Sequence, residues 1–138
     1  EGKLGVFRGV VEAEAQAVAE HIETASVASS ALAAMLLGSR AYFEAMSVPG
    51  RAWLLLVEAP SVLPEEEAEA LVALNGQEQL EAGLLALVGK RRGFPLKATA
   101  SLLSAAFDRA ALEIARGAKP QPYHRAVEHL VRGLVDAG

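Results

Sequence analysis

Apolar residues recur along this chain at spacings of three and four, and Gly and Pro divide it into segments, which is the pattern of helices packed by one face. A first helix is expected from about Leu4 to Thr24, where Leu4, Phe7, Val11, Ala15, Val18 and Ile22 make one stripe. A second, about Ala28 to Met46, carries Leu32, Met35, Leu36, Tyr42, Phe43 and Met46, and Val48-Pro49-Gly50 then turns the chain. The third, about Arg51 to Ala59, is apolar all round from Ala52 to Val57, which predicts burial on every side, and Pro60 is expected to stop it. Pro64 opens the fourth, with Glu65, Glu66 and Glu67 at the positive end of its dipole. It extends to about Arg92, unless Asn75-Gly76 kinks it or breaks it into two shorter helices.

The last two helices are unusual in the width of their apolar faces. In the fifth, Pro95 to about Arg116, apolar side chains cover roughly 260° of the helix, and in the sixth, about Tyr123 to Ala137, roughly 180°. One packing partner does not cover that much. Two such antiparallel helices, with small Ala106, Ala110 and Ala111 permitting close approach, predict pairing with a second copy as a four-helix interface. The expected contacts are Leu103, Ala106, Phe107, Ala110 and Ile114 from the fifth helix, and Tyr123, Val127, Leu130, Val131 and Leu134 from the sixth. An obligate contact of this kind buries roughly 2,000 Å² or more.

Composition narrows the class. Ala and Leu supply 28 and 20 of the 138 residues, whereas two Ile and two Thr never gather into an alternating run, so an all-α fold of about six helices in a single domain, 1–138, is expected. The absence of Cys excludes thiol chemistry and Cys-ligated zinc. Residues 1–88 carry four basic and 13 acidic side chains, so the broad basic face of a nucleic-acid binder is not present there. The dense basic run Lys90-Arg91-Arg92 precedes Gly93 and is expected to sit at a helix C-terminus, with Gly93 as its cap. The longest uncharged stretch, Thr24 to Ser39, falls short of a membrane span, and no signal peptide opens the chain, which makes the cytoplasm the expected compartment.

Catalytic patterns fail one by one. Gly83 to Gly89 has one residue too many between its glycines for a P-loop, and Lys90 is followed by Arg91 rather than a hydroxyl residue. None of His21, His124 and His129 stands three residues after Glu, as di-iron bundles require, and HExxH and G-x-S-x-G are absent. His124 and Glu128 share a helix face as a solvated pair. No catalytic residue, metal ligand or cofactor is expected, and the protein is not expected to be an enzyme. Polar groups on apolar faces remain. Gln77, in line with Ala73, Leu80, Leu84 and Val88, and His21, beside Val18 and Ile22, need a partner if they point inward, which is another side chain, an ordered water or a ligand. Glu58, next to Leu54–Val57, points outward or is held inside, and Tyr42, Phe43 and Met46 are either plain core or the wall of a pocket.

The segment Gly2-Lys3-Leu4-Gly5-Val6-Phe7-Arg8-Gly9-Val10-Val11 resembles the place in tetracycline-repressor (TetR) family regulators where a helix-turn-helix domain passes into a long connecting helix. Ala41-Tyr42-Phe43-Glu44-Ala45-Met46 with Pro49, and Leu54 through Leu63, resemble the next parts of that family's regulatory domain. Phe107 through Arg116 is similar to its penultimate helix, and the order of these segments is the family's. The resemblance implies an all-α domain that binds a small hydrophobic effector in a largely apolar pocket and forms a homodimer through its last two helices. It implies a repressor released from DNA when ligand binding shifts the first helix. It also implies that operator DNA is reached only through a missing N-terminal domain, which the helix over 1–24 would follow, so the chain itself is expected not to bind DNA. The pocket is expected at His21, Met35, Phe43, Trp53, Gln77 and Phe107. The alternative is a stand-alone helical dimer that carries an apolar ligand with no role at DNA.

Overall fold

The computed structural model describes residues 2–72, 76–89 and 91–136. Among them the regular structure is helical throughout, with no strand, and no helix is long and apolar enough to cross a membrane. Helix α1 spans Gly2–Ala25 and buries Val11, Ala15, Val18 and Ile22, the inner part of the expected stripe. Leu4, at the start of that stripe, stays exposed.

α2 spans Ala31–Met46 and is the central helix, packed against α1 and against three helices that follow later in the chain. It begins three residues later than the apolar pattern predicts, because Ser30 takes the N-cap and its Oγ accepts the Ala33 N–H at 3.1 Å. Gly38 lets α2 approach the end of α1: a Cβ there would lie 2.6 Å from the Ser26 Oγ.

The stretch after the turn corrects the expected third helix. α3, Arg51–Trp53, runs through a π-helical segment, Leu54–Glu58, into α4, Ala59–Val62, so Pro60 does not end the helix. The Ala59 N–H reaches back five residues to the Leu54 carbonyl, and this wider turn makes room for a proline ring that would collide with the carbonyl four residues earlier. Nor is the stretch buried all round: Ala52, Leu55 and Ala59 face the core, while Trp53 and Glu58 face outward.

The expected fourth helix is two. α5 spans Glu65–Val72 and α6 spans Glu78–Val88; Gly76, at φ 109°, lies between them, and Asn75 falls outside the described residues. α6 stops at Gly89, whose φ of 65° ends the helix before the basic run. That run therefore does not meet the C-terminus of α6, as the pattern predicted. Lys90 is outside the described residues, but Arg91 turns its guanidinium over the Phe94 ring and to the Leu134 carbonyl at 3.4 Å, near the negative end of the last helix.

α7, Leu96–Ala115, and α8, Pro120–Asp136, fall where the pattern puts them, although α8 starts three residues earlier than expected and Ala137 lies outside the described residues. Gly117, at φ 110°, joins them, with the Ala118 N–H bonded to the Glu113 carbonyl at 3.0 Å. α6 packs against α7 and α8, and α7 against α3, which closes the bundle around α2.

Candidate ligand cavity

Helices α1, α2, α6 and α7 border a half-open cavity of about 410 Å³. Its wall is mostly apolar, with Ile22 from α1, Ala34 and Met35 from α2, Leu80 and Ala82 from α6, and Phe107 from α7. Small residues hold the space open. Gly83 brings α6 so close to α2 that a Cβ would lie 2.9 Å from the Met35 Cε. Gly76, Gly38 and Gly83 all line the cavity, so a face that would otherwise carry side chains is bare backbone.

Five polar side chains also reach the wall: Glu23, Ser26, Ser39, Tyr42 and Gln79. Ser26 Oγ donates to the Ile22 carbonyl at 2.6 Å and Ser39 Oγ to the Met35 carbonyl at 2.8 Å. Tyr42 donates its hydroxyl to Asp108 Oδ1 at 2.5 Å, joining α2 to α7. Burial pushes the Tyr42 hydroxyl well above its ordinary range, and the neighbouring Asp108 charge pushes it further. Burial also raises Asp108, against the opposing pull of the Tyr42 hydrogen bond. Gln79 directs its Nε2 towards the Ala19 carbonyl at 3.5 Å, and its Oε1 is buried with no partner among the described residues.

Behind the cavity, Tyr42, Phe43 and Phe107 form a ring cluster with each pair of centroids 5.8 Å apart. Phe43 continues to His124, 5.2 Å away, in a smaller cleft of about 120 Å³ between α2 and α8. Burial, aided by Arg40, lowers the His124 imidazole below its ordinary range while Glu44 opposes the shift. Glu128 turns away to Arg132 at 3.0 Å.

Of the six pocket residues expected from sequence, Met35 and Phe107 stand on the cavity wall. Phe43 lies one layer behind, in the ring cluster and the smaller cleft. His21 sits on the surface with its Nε2 3.1 Å from Glu44 Oε1, and Trp53 is exposed beneath Arg116, whose guanidinium carbon is 6.0 Å from the ring centre. Gln77 reaches Glu81 at 3.4 Å. The amide on the wall belongs instead to Gln79. The cavity face of α6 and its approach is Gly76, Gln79, Leu80 and Gly83. Two glycines and an amide do not register in a count of apolar positions; the readable signal was glycine inside helical segments, where it costs about 1 kcal/mol and so points to a close approach.

Among the residues expected at a dimer contact, Phe107, Ala110, Val127 and Val131 are buried within their own chain, whereas Ala106 and Leu130 are exposed. Leu103, Ile114, Tyr123 and Leu134 are half-buried. The apolar residues that α7 and α8 present outward include Leu102, Ala105, Ala106, Leu130 and Val135. Among the described residues no three His, Asp or Glu side chains come together as a metal site.

An all-helical bundle built round a central helix, with an apolar cavity against that helix, defines the class of protein. The chain belongs to the tetracyclin repressor-like C-terminal domains, whose family model matches residues 32–138. A search of curated proteins finds no match to it. Membership carries, in general, a regulatory role in ligand binding and dimerisation.

Proposed function

We propose that this chain is the effector-binding and dimerisation part of a TetR-like transcriptional regulator, a repressor that leaves its operator when a small hydrophobic molecule fills the cavity. The observation that carries the reading is the position of the cavity against α1, the helix that enters from the N-terminal side, at Ile22, Glu23 and Ser26. A ligand that fits one position of α1 better than another shifts the population between them, and only that difference in affinity acts on DNA. α1 is tied to its neighbours on both sides, by Arg8 to Glu67 of α5 at 2.6 and 2.9 Å and by Arg51 of α3 to Glu14 at 2.7 Å, so its movement is passed to them. DNA reading belongs, in this proposal, to a helix-turn-helix unit ahead of α1, and the protein works in the cytoplasm as a homodimer.

The test uses Nile red, an uncharged apolar dye. Saturable uptake by the purified chain is expected, and Met35→Trp, which pushes an indole into the cavity, is expected to abolish it with helical circular dichroism retained. Uptake unaffected by that substitution would overturn the assignment of the cavity. In the product of the whole gene, a cavity ligand is expected to weaken promoter binding in a gel shift; a ligand that binds and leaves DNA affinity unchanged would favour the stand-alone carrier.

A further inference from the structure

The hydrogen-bonding groups of the cavity wall are unequally available. Ser26, Ser39 and Tyr42 each spend their hydroxyl proton on a protein acceptor, and the Gln79 amide turns its N–H to the Ala19 carbonyl. The wall is helical along α1, α2 and α7, so its backbone N–H groups are committed there as well. Among the described side chains of the wall, free acceptors outnumber free donors: the Glu23 carboxylate at the exposed mouth, the hydroxyl lone pairs, and the Gln79 Oε1, which has no partner among the described residues. Among the described residues no Lys, Arg or His lines the cavity, and the chain up to Val88 is strongly acidic. Gln79 and Glu23 are also close in the fold, since the amide bonds to α1 at Ala19, one helical turn before Glu23.

We propose that the cavity selects an apolar ligand carrying a protonated amine, whose N–H groups are received by the Glu23 carboxylate and the Gln79 Oε1. The inference rests on the cavity being an effector site and names the chemical class it takes. An anionic ligand of the same apolar body would bring further acceptors to a wall already richer in acceptors than in donors and a like charge to Glu23, which costs affinity. A cation gains a charge-assisted hydrogen bond in a partly enclosed, apolar setting. The last torsion of glutamine is soft, so the amide turns its oxygen from beside Gly76 towards the cavity at small cost, giving up only a 3.5 Å contact.

The experiment is calorimetric titration of the purified chain with n-decylamine, decan-1-ol and decanoate, each below its aggregation threshold and at about 0.15 M salt, where long-range surface attraction is screened. The amine is expected to bind at least about tenfold more tightly than the alcohol, the size of one charge-assisted hydrogen bond, and the carboxylate weakest. Glu23→Gln, on the exposed rim, is expected to bring the amine down to the alcohol's affinity, and Gln79→Leu to weaken the amine while sparing the alcohol. Decanoate binding as tightly as the amine, or an amine preference untouched by Glu23→Gln, would overturn the proposal while leaving the cavity a ligand site. If none of the three binds, the effector-site reading falls with it.

Discussion

At the scale of single residues, the Tyr42–Asp108 pair is the most exposed to test, because it holds a carboxyl in a setting that disfavours its charge. Tyr42→Phe leaves Asp108 without the donor it uses, and a loss of about 1–3 kcal/mol in urea denaturation is expected. Asp108→Asn keeps an acceptor for the hydroxyl and removes the charge. The raised carboxyl binds its proton more tightly in the folded chain than in the unfolded one, so stability from this group falls as pH rises through its folded range. Asp108→Asn is therefore expected to be at least as stable as the parent at pH 7, with its advantage shrinking as the pH is lowered through that range; a variant markedly weaker at pH 7 would contradict this. Gly83→Ala tests the close approach of α6. Its new methyl meets the flexible end of Met35, which has the cavity to move into, so the fold is expected to survive with a stability change within about 1 kcal/mol and Nile red uptake to fall.

At the scale of elements, local chemistry decides where helices begin and how they are tied. Ser30→Ala removes the cap of α2 and is expected to cost about 1 kcal/mol in thermal or urea melts. α5 is short and joins α1 through the Arg8–Glu67 fork, in which the guanidinium holds Glu67 below the usual carboxylate range. A carboxyl lowered on folding contributes stability that is present above its unfolded range and lost as pH falls. Amide exchange over Glu65–Val72 is therefore expected to quicken on acidification and in Glu67→Gln at neutral pH, and an unchanged pattern would show that packing alone holds α5. The π-helical segment belongs to this scale too. The sequence presents Pro60 as a stop, yet one wider turn carries the chain past it and leaves Leu55 and Ala59 in the core.

At the scale of the whole molecule, α7 and α8 each present apolar side chains that the described residues leave exposed. Leu102 is 74% exposed and Leu130 is 54% exposed, more surface than two isolated leucines need. The parent is expected to sediment as a species of twice 14.4 kDa, and Leu102→Glu with Leu130→Glu as one of 14.4 kDa that keeps its helical content. A parent that stays at the lower mass at all concentrations would remove the dimer from the proposed function. The four residues buried within the chain, Phe107, Ala110, Val127 and Val131, are core first, and substituting them would report on folding rather than on association.

The sequence by itself determined the helical class, the places of α1, α2, α7 and α8, and most of the inward faces of α1 and α2, because periodicity at 3.6 residues and the punctuation by Gly and Pro are local properties. It also carried enough ordered resemblance to indicate the family that residues 32–138 match. Only the tertiary structure decided which polar groups face the cavity. His21 and Gln77 border apolar stripes as Gln79 does not, yet His21 finds Glu44 on the surface and Gln77 finds Glu81 one turn along its own helix, while Gln79 lines the wall. The wall beside Gln79 is formed in part by Gly76 and Gly83, glycines whose contribution is the absence of a side chain. A cavity is space left between helices brought together from distant parts of the chain, and no single segment's pattern encodes it.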